Sequence, residues 1–164
     1  MKSFQNGCIV EENNSITMMD IGDSIPAQVL LRRYKYEDLT YSIEETTWAD
    51  FVIDNSNGTK QWIGDKKVVS QKYRNDDKLI EETTEVYLKG KDIADKYTIV
   101  EYSYEQNNPL GRVQSINIFI CKYEEGAYEK YAISEESILE YYGDTEQYKK
   151  VELTVLNQDL AYRE

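Results

Sequence analysis

The dominant pattern along the chain is an alternation with a period of two. Ile116, Ile118 and Ile120 recur at every second position over 115–120, and the same spacing returns over 151–156. This pattern is typical of strands that bury one face. Eight further runs are rich in β-branched and aromatic residues, which favour strands; they are 28–36, 40–46, 48–54, 59–63, 68–73, 80–88, 97–104 and 128–133.

Turn-forming residues separate these runs. Residues 54–58 end in Asn-Gly, a pair that accepts positive φ, and 124–126 end in Gly126. Polar turns are also predicted at 74–77 and 106–109. About ten short strands joined by such turns predict a mainly β fold, either an antiparallel barrel or a strongly curved sheet or sandwich.

One short C-terminal α-helix is predicted over 134–143. Ser134 is suited to the N-cap, with two glutamates in the first turn, where the helix dipole favours anions. Ile133 and Ile138 have the spacing of a hydrophobic staple, and Gly143 stands where a left-handed residue ends a helix. We expect this helix to cover one open end of the core.

The length of 164 residues predicts a single β-rich domain over 1–164. A boundary between two small β units is the alternative, and it would fall at 76–96, where charged residues weaken the strand pattern. The residues expected in the core are Val29, Leu31, Trp48, Phe51, Ile53, Trp62, Ile99, Ile116, Ile118, Ile120, Leu139, Val151, Leu153 and Val155.

Composition excludes several kinds of chemistry. The chain has no His, which rules out a Ser-His-Asp triad, an imidazole base and a His-based zinc site. Cys8 and Cys121 are too few for a Cys-rich zinc site, and we interpret them as buried thiols, with one disulfide as the alternative. The glycines form no phosphate-binding loop. We therefore predict a non-enzymatic protein without cofactor or metal; catalysis by carboxylates from different strands is the remaining enzymatic alternative.

The charge indicates the kind of partner. Nineteen bases and 31 acids give a net charge of −12, which repels phosphate backbones, so nucleic acid is not expected as a ligand. An acidic protein binds basic protein surfaces, or imitates nucleic acid before a nuclease or toxin. No run approaches the about 20 apolar residues of a membrane span. No apolar run follows Lys2 as in a signal peptide, and we expect a cytoplasmic location.

Acids and tyrosines concentrate together in residues 123–147. This segment has eight acids and a single base, Lys130, within a chain of 15 tyrosines. Tyrosine is enriched at protein contacts, although half-buried sheet faces and solvated charges explain the same residues without a partner. The predicted protein-docking face consists of Tyr123, Glu124, Glu125, Tyr128, Glu129, Tyr131 and Tyr141.

The two tryptophans bracket the Asn-Gly turn. In a hairpin that turns near Asn57, Trp48 and Trp62 would lie near cross-strand register. They are core aromatics on one interpretation. On the other, they form an aromatic pocket for a small molecule within the barrel.

Several short motifs carry a resemblance to a known family. Ile-Gly-Asp in 20–23, Arg-Tyr in 33–36, Trp-Ala-Asp-Phe in 48–53 and the Gly-to-Trp-Ile run of 58–64 are similar to domain-of-unknown-function family 4178. The segment from Tyr123 to 136 resembles the family's last strands, and the likeness spans roughly 17–143. Asp50 and Phe51 stand where the family more often has Glu and Tyr. The resemblance implies a small bacterial protein with a binding or scaffolding role, linked to membrane or envelope stress, and no assigned reaction.

Three functions remain as expectations, all non-enzymatic. The first is a bacterial binding or scaffold module that docks a protein with a basic surface through the acidic, Tyr-rich face. The alternative is an acidic inhibitor or immunity protein that neutralises a nuclease or toxin. The third is a small-molecule binder. The oligomeric state is left open by the sequence.

Overall fold

A computed structural model describes residues 2–5, 8–20, 23–53, 60–106, 111–145 and 147–157, with side chains described over 31–48, 64–106, 111–145 and 147–157. Its ten strands form one antiparallel sheet in which each strand pairs with the next along the chain. The strands are β1 (Lys2–Gln5), β2 (Cys8–Asp20), β3 (Asp23–Tyr36), β4 (Thr40–Ile53), β5 (Lys60–Arg74), β6 (Leu79–Tyr87), β7 (Lys96–Tyr104), β8 (Val113–Glu124), β9 (Ala127–Tyr141) and β10 (Tyr148–Val155).

The sheet is open. β1 and β10 are its two edges, and within the described strands nothing joins them. The mainly β, antiparallel prediction is confirmed, but the barrel is wrong. Alternation along a strand specifies which residues share a face, and it is the same in an open sheet and in a closed one, so closure was not encoded in the pattern used.

Contacts between strands are concentrated on neighbours within the sheet, so the architecture is a single layer. A compact protein of 19.2 kDa exposes about 8,400 Å², whereas this chain exposes 11,654 Å². Among the described side chains, Ile99, Ile138 and Thr46 are the buried ones. The chain therefore stabilises itself mainly by strand pairing and by side chains that cover one another along a face.

The expected core is confirmed only in part. Ile99 is buried, and the side chains of Leu31, Trp48, Ile116, Ile118 and Ile120 are half-buried. Leu139, Val151, Leu153 and Val155 are exposed, so their placement in the core was wrong, because no second layer covers this end of the sheet. The side chains of Val29, Phe51, Ile53 and Trp62 lie outside the described ones.

The predicted helix over 134–143 is replaced by a strand. β9 runs to Tyr141 and pairs with β8 on one side and β10 on the other, with Ser134 opposite Ile118 and Val155. A helix cap contributes about 1 kcal/mol, and ladders on both sides outweigh it. Gly143 does adopt positive φ, at 54°, but it lies in the turn between β9 and β10.

The predicted turns agree better with the structure than the predicted helix does. Glu125 and Gly126 have φ of 51° and 95° between the opposed residues Glu124 and Ala127, which is the pattern of a two-residue type I′ hairpin. β4 and β5 pair on either side of the predicted Asn-Gly turn, which itself falls outside the described residues. The segment 76–96 contains β6, which pairs with both β5 and β7, so the sheet continues across it.

Candidate functional site

Register defines two faces of the sheet, because directly opposed residues point to the same side. The front face carries Ile99 and Phe119, which are opposed in β7 and β8. The back face carries Val100 and Ile118, the next opposed pair. Alternation along each strand then assigns the remaining side chains.

The predicted docking residues gather mainly at the end of the β8–β9 hairpin, residues 122–131, which we call the hairpin tip. Tyr123 and Tyr128 oppose each other on the front face. Glu124 and Glu129 lie on the back face, and Glu125 lies in the turn. The three carboxylates are exposed, as is Tyr123. The tip therefore presents aromatic rings on one side and acids on the other and at its end.

The front-face rings form a packed cluster of Tyr97, Tyr123 and Tyr128. Tyr128 meets Tyr97 edge-on with ring centroids 5.1 Å apart, and meets Tyr123 with centroids 5.2 Å apart. Its hydroxyl oxygen accepts a hydrogen bond from the Ala94 amide at 2.8 Å. Burial, with the nearby Glu85 charge adding to it, raises the pKa of Tyr97. These contacts hold the rings in one arrangement, with Tyr123 as the exposed member.

On the back face, Tyr131 braces the acids of the tip. Its hydroxyl donates a hydrogen bond to Glu124 Oε2 at 2.9 Å. This bond favours the protonated phenol and is the main cause of the raised pKa of Tyr131. The hydrogen bond also holds the Glu124 carboxylate in position at the surface.

Lys130, the single basic residue of the acidic segment 123–147, contacts residues of two other strands. Lys130 Nζ forms an ion pair with Glu101 Oε1 and lies 3.9 Å above the Phe119 ring centroid, on the front face. Lys122 Nζ lies 5.9 Å from the Tyr131 ring centroid on the back face. Lys130 therefore pairs with Glu101 rather than with an acid of the tip. Lys122 opposes Glu129 on the back face, so the tip sets three carboxylates against one remaining base and keeps a net negative charge.

Cys121 lies beneath this region and opposes Lys130. Its thiol is free and half-buried. Burial raises its pKa, an effect that Lys130 only partly offsets. A thiol with a raised pKa is largely protonated near neutral pH and is a weak nucleophile.

Tyr141, the seventh predicted docking residue, is not brought to the tip. It lies at the far end of β9, about 40 Å from Tyr128 at about 3.3 Å per residue. There it packs edge-on against Tyr148 with centroids 5.7 Å apart, and its hydroxyl donates to the Val113 carbonyl oxygen. The run of acids and tyrosines in the sequence follows the length of a strand, so it does not form one compact patch.

The two tryptophans are not cross-strand partners. Trp48 opposes Lys66, whereas Trp62 opposes Phe51. Trp48 lies in an open depression of about 290 Å³ on the front face, whose lining includes Leu31, Thr46, Lys66, Val68 and Tyr87. The side chain of Trp62 lies outside the described ones. The described strands are not closed into a barrel, so they do not provide the barrel interior that was expected to hold this pocket. A shared pocket of Trp48 and Trp62 stays a prediction.

One feature of this depression is its charge pairing. Lys66 Nζ lies 4.0 Å from the Tyr87 ring centroid, and the Tyr87 hydroxyl donates a hydrogen bond to Glu85. Burial, followed by this bond, raises the pKa of Tyr87 well above its usual range. The polar groups around the depression are thus engaged with one another.

Sequence reasoning missed a second depression, of about 200 Å³, at the end of the sheet where Tyr141 lies. Arg112 donates to Glu105 Oε2 at 3.2 Å and to the Gly143 carbonyl oxygen at 3.0 Å, and its guanidinium lies 4.3 Å from the Tyr141 ring centroid. The Tyr104 hydroxyl donates to the Leu79 carbonyl oxygen at 2.6 Å. These residues are spread along the chain, so no local motif predicted the site. The bond from Arg112 to Gly143 ties the β7–β8 connection to the turn between β9 and β10.

The described residues offer neither a metal site nor a membrane-spanning helix. Among the described residues, no three His, Cys, Asp or Glu side chains are grouped as a metal site would require. The described part of the chain also has no helix with the length and apolar character of a membrane span. Comparisons of the chain with protein-family models, with curated proteins and with solved structures each found no match.

Proposed function

We propose that this protein is a non-enzymatic binding module that docks a basic protein surface through the hairpin tip. The observation that carries the proposal is the composition of the tip. A braced cluster of tyrosine rings adjoins three exposed carboxylates, while Lys130 is engaged by Glu101. Rigid aromatic side chains give contact area at low entropic cost, and acids around them steer and orient a basic partner.

The chemistry of the tip favours binding over catalysis. The Tyr131 hydroxyl is engaged by Glu124, and the Tyr128 hydroxyl accepts from the main chain. Cys121 is a poor nucleophile because burial raises its pKa. Paired hydroxyls and a protonated thiol suit a surface that holds its shape rather than one that transfers protons.

The cellular setting of the proposal comes from the family resemblance. From the short motifs that resemble domain-of-unknown-function family 4178, we propose a bacterial scaffold whose partner belongs to a membrane- or envelope-stress response.

The test reverses the charge of the tip in the full chain. The variant Glu124→Lys, Glu125→Lys, Glu129→Lys is compared with Asp38→Lys, Glu140→Lys, Asp144→Lys, which changes the net charge equally at exposed sites away from the tip. Tagged proteins capture partners from cell lysate that includes membranes, at low and moderate salt, and the captured proteins are identified by mass spectrometry.

We expect the parent and the control to retain a basic partner that the tip variant loses. The capture should weaken as salt rises, because exposed charges are screened. Retention of the same partner by the tip variant would show that the tip is not the docking site. Equal loss in both variants would assign the effect to net charge alone.

A second candidate function is inhibition of a nuclease or toxin by imitation of nucleic acid. One observation favours it: Glu81 and Glu101 are directly opposed on the front face, an arrangement of like charges that weakens a sheet. The two carboxylates stand on neighbouring strands, which lie about 4.8 Å apart, although Lys130 pairs with Glu101 and Lys72 opposes Glu81. Capture of a nuclease, and its inhibition by the purified parent in an activity assay, would move this candidate to first place.

A further inference from the structure

Strand β10 leaves one edge of the sheet available for a further strand. All eight of its residues are exposed, and β9 is its partner among the described strands. Val151, Leu153 and Val155 are 42 %, 59 % and 40 % exposed, although they are apolar and share the back face. An exposed apolar edge strand is a template for pairing with another chain.

The main chain shows which residues face this edge. The Leu156 amide donates to the Ile133 carbonyl oxygen in β9 at 2.9 Å, so residue 156 points inward. Amide and carbonyl directions alternate along an antiparallel strand. The main-chain groups of Val151, Leu153 and Val155 therefore point outward, to the free edge.

The sequence of β10 is self-complementary about Leu153. It reads Val-Glu-Leu-Thr-Val over 151–155. In an antiparallel pair of two copies centred on Leu153, each Val151 opposes a Val155, the two Leu153 oppose each other, and Glu152 opposes Thr154. Each opposed pair of outward-facing residues exchanges two hydrogen bonds, which gives about six in all.

Neighbouring registers are poorer. A pair centred on Glu152 would place two like charges directly opposite each other, which is unfavourable. A pair centred on Val151 would require Lys149 to hydrogen-bond with the second copy. Lys149 lies at an irregularity in the register of β10 with β9, which makes this pairing unfavourable. The register centred on Leu153 avoids both defects and uses all three outward-facing residues.

We propose that a second copy of this chain pairs with β10 in this register, making a twofold dimer with one continuous sheet. The twofold axis is perpendicular to the sheet, so the back faces of the two copies join. Six apolar side chains, three from each copy, then form one row across the junction and continue towards Ile138, which opposes Val151. The contact is small for a protein interface, and we expect a dissociation constant of about 1–100 µM.

Disulfide cross-linking tests the register. In a chain carrying Cys8→Ala and Cys121→Ala, Leu153→Cys should cross-link with itself under mild oxidation, since the opposed Cα atoms lie about 5.5 Å apart. Val151→Cys and Val155→Cys should each stay uncrosslinked alone and should cross-link when mixed. Self-linking of Val151→Cys, or failure of Leu153→Cys to link, would overturn the proposed pairing.

Analytical ultracentrifugation of chains that keep both native cysteines tests whether the dimer forms. Leu153→Pro removes an amide that points to the free edge, so it leaves the ladder with β9 intact while blocking the dimer. Leu153→Val is the matched control and should still dimerise. A parent that remains monomeric at about 1 mM, tenfold above the upper end of the expected range, would overturn the proposal. The tip variants leave β10 unchanged, so failure of this proposal is distinguishable from failure of the proposed function.

Discussion

Ile138 lies opposite Val151 and is 9 % exposed, whereas its neighbour Leu139, at an irregularity in the same ladder, is 47 % exposed. In a helix the two residues would belong to one apolar stripe. In the strand β9, neighbouring side chains cover Ile138 and leave Leu139 exposed. This difference between adjacent residues has a direct consequence for stability.

We expect Ile138→Ala to lower the free energy of unfolding by about 2 kcal/mol, the lower end of the range for buried isoleucine, since the sheet has one layer. Leu139→Ala should cost about 0.5 kcal/mol or less, as an exposed substitution. Urea denaturation followed by far-ultraviolet circular dichroism measures both. Equal losses from the two variants would contradict the strand placement of this segment.

The sequence patterns predicted the strand β8 correctly, but they did not predict the strand pairing of the segment after it. The alternation at Ile116, Ile118 and Ile120 specified β8 because period two is a local property. The cap-like Ser134 and the staple-like Ile133 were equally local signals, and pairing with β8 and β10 overrode them. Local patterns carry no information on whether the neighbouring strands will pair with a segment.

The candidate site was likewise predicted only in part. Tyr123, Glu124 and Tyr128 were predictable together because a tight turn brings sequence neighbours to one tip. Tyr141 was grouped with them by composition, although strand length carries it to the opposite end. Tyr97 was missed as a member of the tyrosine cluster, since the register of β7 with β8 places it there.

The turn of the hairpin tip separates binding from stability. Glu125 has φ of 51°, a conformation that asparagine adopts more readily. Glu125→Asn should therefore stabilise the chain by about 0.5 kcal/mol, while it weakens capture of a basic partner by removing a carboxylate. Thermal unfolding and a quantitative capture assay measure the two effects.

Glu125→Gln is the matched control for this change. It removes the same charge without improving the turn, so capture should weaken and stability should stay within about 0.5 kcal/mol of the parent. A parallel rise or fall of stability and capture in both variants would contradict a direct role of the carboxylate.

A cross-strand ion pair on the back face should contribute measurably to stability. Arg32 Nε donates to Glu45 Oε1 at 2.6 Å, and both side chains are about one-third exposed. Allowing for solvent screening, we expect a coupling energy of about 0.5–1 kcal/mol from a double-mutant cycle with Arg32→Met and Glu45→Gln.

The neighbouring pair on the front face is the control for that cycle. Arg33 Nη1 lies 3.4 Å from Glu44 Oε1, and both side chains are more exposed than those of the back-face pair. The coupling energy of Arg33 and Glu44 should therefore be near zero, about 0–0.5 kcal/mol. A front-face coupling that equals or exceeds the back-face one would contradict this ranking by burial.

Alkaline pH should unfold this protein. Burial raises the pKa values of Tyr73, Tyr97, Tyr102 and Tyr104 above that of an exposed phenol. The unfolded chain loses these protons near pH 10, while the folded chain still holds them. Their contribution is complete below about pH 10 and is lost as the pH rises through the folded-state pKa values.

Urea unfolding between about pH 8 and pH 11 measures this loss, with phenolate absorbance reporting ionisation of the folded chain. Tyr102→Phe should flatten the decline relative to the parent, because it removes one of the groups. A free energy of unfolding that stays constant across this range would contradict the assigned burial of the tyrosines.

The order of the strands has a consequence for how the chain gains and loses structure. Each strand contacts mainly the strands that precede and follow it, so most pairings join residues close in sequence. Chains with such low contact order fold rapidly, and their stability approaches a sum of nearest-neighbour terms. The sheet can therefore grow one hairpin at a time and come apart by peeling from an edge. A hairpin inserted or deleted at an edge would leave every other pairing in place.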